Sequence, residues 1–144
     1  MASLTKRSEV LREVRDTFGQ VPNWVETMPD SVIGGFWGLM RDFQLAETKI
    51  PNKYKELIGI AVSGATRCKY CQLFHTEAAR LNGATDDEIR EAAAMAGVTM
   101  LGSTYLNALG PDYEAFEKET LELVAHVKAQ AAKTTRKPVA EARV

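Results

Sequence analysis

Two cysteines are all the sequence holds, too few for the stapled frameworks that stabilise small secreted domains. Charge of one sign is not in surplus: 18 Lys+Arg stand against 19 Asp+Glu, a formal net charge of -1. A surface without excess cation gains little by displacing counterions from phosphates, so no nucleic-acid partner is expected. Disorder is not expected either, because 45% of the chain is hydrophobic and its net charge is small. No apolar–polar alternation bounded by turn residues occurs, which argues against strands. The first residues, Met1-Ala2-Ser3-Leu4-Thr5-Lys6-Arg7, lack the apolar run of a signal peptide, so a soluble cytoplasmic protein is expected.

One stretch lacks charge altogether. Residues 92–111 contain no Asp, Glu, Lys or Arg and reach the length of a membrane span. Thr99, Ser103, Thr104, Asn107 and several glycines interrupt them, however, and five of the apolar residues are small alanines. A buried central helix is expected there, with no membrane contact.

What is present is helical periodicity. Turn signals divide the chain into about six helical stretches. The first covers residues 3–17, with Leu4, Val10, Leu11, Val14 and Phe18 on an imperfect stripe, and stops where Gly19 and Pro22 discourage helix. A second follows Pro29, with Asp30 or Ser31 placed to cap it, and reads 32–43. Its Gly34, Gly35 and Gly38 weaken it, a loss that close packing against another backbone is expected to offset. A third opens near Pro51 and runs to about residue 64; a fourth starts at the cysteines and closes at Asn82-Gly83. The fifth opens at Thr85-Asp86-Asp87-Glu88, a capping box, and runs toward Leu109. The sixth follows Gly110-Pro111, with Tyr113, Phe116, Thr120, Leu123, Val124 and Val127 at helical spacing.

The expected fold is all-α: one helical-bundle domain over residues 1–132 and a flexible polar tail over 133–144. Leu57-Ile58-Gly59-Ile60-Ala61-Val62 is apolar all round, and residues 92–96 are nearly so. A helix without a polar face must be covered on every side. Some of that cover is expected from a second copy of the chain, making a homo-oligomer.

The chemistry-bearing stretch runs from Glu56 to His75. On a helix Cys68 and Cys71 are neighbours at i, i+3, and Cys71 and His75 at i, i+4, so all three share a face. Cys68 directly follows the loop ending in Arg67 and is expected in the first helical turn, where free N–H groups and the helix dipole stabilise a thiolate. A thiol ordinarily ionises near pH 8.5, and bringing it to about 7 takes roughly 2 kcal/mol. A helix N-terminus supplies about 0.3–1 kcal/mol. A proton acceptor or cation is therefore needed, and His75 has suitable chemistry.

Each residue also has a plainer reading. Cys-x-x-Cys occurs in redox proteins, in zinc sites and by chance. His75 could be a satisfied structural histidine, Glu56 a solvated helix residue, Tyr70 a packing residue and His126 an exposed one. For zinc, Cys68, Cys71 and His75 supply three ligands, and no second pair completes a closed site.

Taken together, Glu56, Cys68, Cys71 and His75 resemble the signature of the carboxymuconolactone decarboxylase superfamily, and more narrowly its alkylhydroperoxidase D-like branch. Phe18-Gly19-Gln20-Val21-Pro22-Asn23 and Leu81-Asn82-Gly83-Ala84-Thr85 match habits of the same family, and the likeness covers about residues 18–109. The resemblance implies an all-helical domain assembled as a trimer or hexamer, with no metal or organic cofactor. It implies a thiol-dependent peroxidase that cycles between dithiol and disulfide. Its partners would be a peroxide substrate and an external dithiol reductant of lipoyl or thioredoxin type. Glu56 and His75 would form a proton relay, Cys71 would be the buried attacking thiolate, and Cys68, nearer the surface, would resolve the sulfenic acid and meet the reductant. Decarboxylases of the superfamily lack the cysteine pair, which argues against lactone decarboxylation. Tyr70 stands where established peroxidases of the branch carry a histidine, so a disulfide reductase or a slow peroxidase also fits. A metal-binding or non-catalytic member of the fold is the alternative.

Overall fold

A computed structural model describes residues 6–135. Among them there are seven α-helices and one π-helical turn, and no strand. The chain divides into two compact units, Met1–Gly97 and Val98–Val144.

In the first unit α1 (Arg7–Phe18) turns Val10 and Val14, one helical turn apart, into a core shared with Val25 of α2 (Asn23–Glu26) and with Ile33 and Trp37 of α3 (Asp30–Leu39). The i, i+4 pairs on α1 and α3 place two apolar rows face to face. Glu13 fixes their register: its Oε2 accepts from Trp37 Nε1 at 2.7 Å and from Arg41 at 2.9 Å. α1 stops at Gly19, whose φ of 77° lets its N–H reach the Arg15 carbonyl.

α2, four residues long, was not among the expected stretches, because its length carries no periodicity. Like α3, it begins directly after a proline, Pro22 and Pro29 respectively. The cap expected from Asp30 or Ser31 is absent. Pro29 takes the cap position with no side-chain bond, and Asp30 pairs instead with Arg7 at 2.8 Å. Two of the three glycines of α3 are not closely packed either: a Cβ at Gly35 or Gly38 would meet nothing within 4 Å. α3 runs on into a π turn, Met40–Gln44, closed by Leu45 N–H to the Met40 carbonyl. The start of α4 (Asn52–Thr66) takes up carbonyls from this end, Asn52 binding Leu45 O and Lys55 binding Phe43 O and Ala46 O. These acceptors would otherwise lack a helical donor.

α4 ends at Arg67, which adopts a left-handed conformation (φ 57°), unusual for a residue with a side chain. Cys68 N–H then reaches back to the Ser63 carbonyl and Arg67 N–H to Gly64, closing the helix end. The chain reverses into α5 (Lys69–Leu81) with only two residues between helices. The resulting hairpin holds a second small core of Ile60, Ala79 and Ala84, flanked by Leu57 and Ile89.

The expected capping box forms at the start of α6 (Asp86–Leu109): Glu88 N–H reaches Thr85 Oγ1 at 3.1 Å, and Thr85 N–H reaches Glu88 Oε2 at 2.8 Å. Glu88 also binds Lys53 of α4 at 2.7 Å. α7 (Tyr113–Thr135) opens with Asp112 capping Ala115 N–H.

The burial expected for residues 92–111 is not met within the chain. No residue of α6 is buried, and Leu101, Tyr105, Leu121, Leu123 and Val127 are all exposed apolar side chains. No helix among the described residues is long and apolar enough to cross a membrane. α7 continues past the expected tail boundary to Thr135; residues 136–144 of that tail, and residues 3–5 of the first stretch, lie outside the described residues.

Candidate functional site

The α4–α5 hairpin carries all four candidate residues. Glu56 sits one turn into α4 on the face that also carries Ile60 and Ser63, and all three are buried. Glu56 is 2% exposed. A carboxylate buried to that degree needs a partner, and it has one: its Oε2 lies 2.6 Å from His75 Nδ1. The two residues are 19 apart in sequence and meet because the turn at Arg67 folds α5 back on α4. With the carboxylate accepting, Nδ1 carries the hydrogen and Nε2 remains the basic nitrogen. Among the described residues no buried side-chain nitrogen or oxygen lacks a partner.

Cys68 is the N-cap of α5, a position one residue earlier than the expected first turn. Its Sγ accepts the Cys71 backbone N–H at 3.3 Å. One free donor of the helix start thus points at this sulfur. Cys68 and Cys71 form a disulfide, with their Cα atoms 5.3 Å apart. Cys71 is one turn before His75 on the same helix. The structure therefore brings the candidates together as two pairs on one hairpin, the disulfide at its turn and the imidazole–carboxylate pair a helical turn further on.

Exposure departs from expectation. Cys71 is exposed and Cys68 partly covered, the reverse of a buried Cys71 with Cys68 nearer the surface. The physical reason is the cap: Cys68 faces the closing turn of α4, whereas Cys71 lies on the open side of α5. Tyr70 is not a packing residue in this chain; it is 77% exposed, with the Lys69 ammonium 5.1 Å from its ring centroid. His126 is exposed on α7, with Nε2 3.5 Å from Gln130 Nε2. Among the described residues no three His, Cys, Asp or Glu side chains gather as a metal-binding group.

Phe74 stands edge-on to the His75 ring, centroids 5.4 Å apart. The same phenylalanine lines a cleft of about 190 Å³ with Phe18, Trp24, Phe36, Trp37 and Met40. This wall was missed in the sequence because its residues come from four separate α-helices and the π turn. The sequence places Arg67 at the end of a loop, and nothing in the residue type signals its left-handed backbone.

The fold and the site together define a class: all-helical proteins with a Cys-x-x-Cys pair capping one helix and a histidine–glutamate pair shared with the helix before it. The sequence matches the carboxymuconolactone decarboxylase family over residues 34–111, more than half its length, and the chain belongs to that family. Its fold is that of the alkylhydroperoxidase D-like branch. It is similar to the crystal structure of the alkylhydroperoxidase AhpD core from Rhodospirillum rubrum, with a TM-score of 0.65 and 28% identity over 76% of this chain and 84% of that one. A structural-genomics protein from Methanobacterium thermoautotrophicum is 31% identical with a TM-score of 0.51, over 60% of this chain and 96% of its own. An uncharacterised protein of the cox locus of Paracoccus denitrificans is 35% identical over 63 residues. Those residues are 44% of this chain and 57% of the Paracoccus protein, so the match spans little more than half of that relative.

Proposed function

We propose that the chain is a dithiol–disulfide oxidoreductase that reduces a peroxide through Cys68, Cys71, His75 and Glu56. The observation that supports this most is the disulfide at the start of α5, one turn from an imidazole whose Nδ1 is bound to a buried carboxylate. In the reduced protein the Cys71 thiol gives its proton to His75 Nε2, with Glu56 stabilising the imidazolium. The thiolate attacks one peroxide oxygen. An S–O bond forms, the O–O bond breaks, and the departing alkoxide takes the proton and leaves as an alcohol. Cys71, oxidised by two electrons to sulfenic acid, is attacked by the Cys68 thiolate; an S–S bond forms and water leaves. The Cys68 thiolate is the anion that the helix N–H groups favour.

An external dithiol of lipoyl or thioredoxin type then returns two electrons and is itself oxidised to a disulfide. Because Cys71 is the exposed sulfur, the reductant attacks there and Cys68 leaves as the stabilised thiolate. No metal or organic cofactor enters these steps. The apolar cleft sharing Phe74 with the site favours an organic hydroperoxide over hydrogen peroxide.

The test is a thiol count with mass spectrometry. One equivalent of cumene hydroperoxide should consume both thiols of the reduced protein, and dithiol should restore them. Cys68→Ser should stop at a sulfenic acid on Cys71, and Cys71→Ser should lose no thiol quickly. A wild type that forms no disulfide with peroxide sinks the reading.

We also propose that a homo-oligomer, trimer or hexamer, covers the exposed apolar side chains of α6 and α7. Burying such side chains contributes about 1.5–3 kcal/mol each, which a lone chain forgoes.

A further inference from the structure

We infer that Gly59 is a positioning residue for the proton relay, its missing side chain being the space in which the His75 imidazole stands. This rests on the reading of His75 as the base. Gly59 is in the middle of α4, three residues after Glu56, so the two share a face of that helix. A Cβ built at Gly59 would lie 2.4 Å from His75 Nδ1 and 2.5 Å from both Cγ and Cε1. No side chain tolerates approach at that distance. Five other helical glycines show no such closeness: at Gly35, Gly38, Gly64, Gly97 and Gly102 the same atom would meet nothing within 4 Å. Gly59 does not have the positive φ that calls for glycine at a turn, and glycine in a helix interior is disfavoured against alanine. What the residue supplies is room.

The imidazole lies flat enough on the α4 backbone for Nδ1 to reach Glu56 Oε2 at 2.6 Å. His75 retains 21% of its side-chain exposure, so with a methyl group at position 59 the ring can swing toward solvent while the helices stay in place. That movement breaks its bond to Glu56 and carries Nε2 away from its station one turn above Cys71. The expected outcome of Gly59→Ala is a folded protein with a disabled relay.

Three readouts decide this. The first is helix content by circular dichroism, with Gly64→Ala, in the same helix but against open space, as the control. The second is the pH profile of thiol alkylation in the reduced protein. The third is the long-range ¹H–¹⁵N spectrum of the His75 ring, which reports the Nδ1–H tautomer and its hydrogen bond whatever the protein's activity. Gly59→Ala should keep its helix content, lose the bonded Nδ1–H signature and slow alkylation at neutral pH by about tenfold or more, as His75→Ala also should. Adding His75→Ala to it should slow alkylation no further, and Gly64→Ala should leave all three unchanged. A wild-type tautomer signature in Gly59→Ala overturns the inference. If His75→Ala itself leaves alkylation unchanged, the functional reading fails, while the ring spectrum still decides the role of Gly59. Should Gly59→Ala not fold, Gly59→Ala/His75→Ala removes the clashing ring. A double variant that folds supports the clash, and one that does not overturns it.

Discussion

Replacing Glu56 by Gln keeps the side chain's size and one acceptor oxygen and removes its charge. Glu56 is 2% exposed, and Oε2 is 2.6 Å from His75 Nδ1, so water does not screen the interaction. A hydrogen bond to a charged partner contributes about 1.5–3 kcal/mol, against about 0.5–1.5 kcal/mol for a neutral one. The carboxylate therefore favours movement of a proton from thiol to imidazole by about 1–2 kcal/mol more than the amide does. That difference is about 5- to 30-fold in the thiolate–imidazolium population, or about 0.7–1.5 pH units in the alkylation midpoint.

The assay is alkylation of fully reduced protein across neutral pH, with mass spectrometry scoring each cysteine separately. Glu56→Gln should slow the faster cysteine by about 5- to 30-fold near pH 7. The variant and wild-type rates should converge above the ordinary thiol value of about 8.5, where the thiol ionises unaided. Superimposable profiles refute the relay, as does a variant that reacts faster at neutral pH. Unchanged circular dichroism shows that the buried amide has not cost the fold.

Three carboxylates give stability a pH dependence. Glu13 is held below the ordinary carboxylate range by its bonds to Trp37 and Arg41, Asp42 by Arg41, and Glu88 by Lys53 and then Thr85. A folded value below the unfolded one stabilises the fold above the unfolded value, about 4, and is lost as pH falls through the folded value. Denaturant midpoints should therefore fall as pH drops below about 4, and Glu13→Gln should flatten part of that slope; stability that is level or rising with acid refutes the assignment. Equilibrium sedimentation at micromolar concentration should give a multiple of the 15.9 kDa chain mass. Leu121→Glu on α7 should lower that multiple, and a wild-type monomer refutes the proposed cover of α6 and α7.

Helices announced themselves where the chain repeats. The stripe of Val10 and Val14 became core, and Thr85 with Glu88 became the capping box, because both are local rules that a few consecutive residues satisfy. The same logic reached the site: Cys71 and His75 are a helical turn apart on α5 and Cys68 caps it, so their neighbourhood follows from spacing alone. What spacing could not supply was anything decided between elements. Glu56 meets His75 only through the left-handed turn at Arg67, a backbone state that arginine does not advertise. The relative exposure of Cys68 and Cys71 depends on which of them faces the end of α4. The packing expected of Gly35 and Gly38 failed while that of Gly59 is real. Glycine in a helix signals room, and only a neighbouring element decides whether something fills it.

The site's economy lies in its being built on one hairpin. Both sulfurs, the imidazole and the carboxylate come from α4, α5 and the two residues between them, so a single reversal of the chain brings them together. Each part of that reversal has a physical cause: the Ser63 and Gly64 carbonyls close the first helix, Arg67 turns the backbone, and the Cys68 sulfur satisfies an N–H at the start of the second. The bonds to the Ser63 and Gly64 carbonyls involve neither sulfur, so nothing in them requires the disulfide to be intact. The Cys71 N–H that the Cys68 sulfur accepts now is one that a thiolate at the N-cap would also accept. On the proposed cycle two electrons and two protons are exchanged per disulfide, and a frame held by backbone bonds suits both directions of that thiol–disulfide exchange.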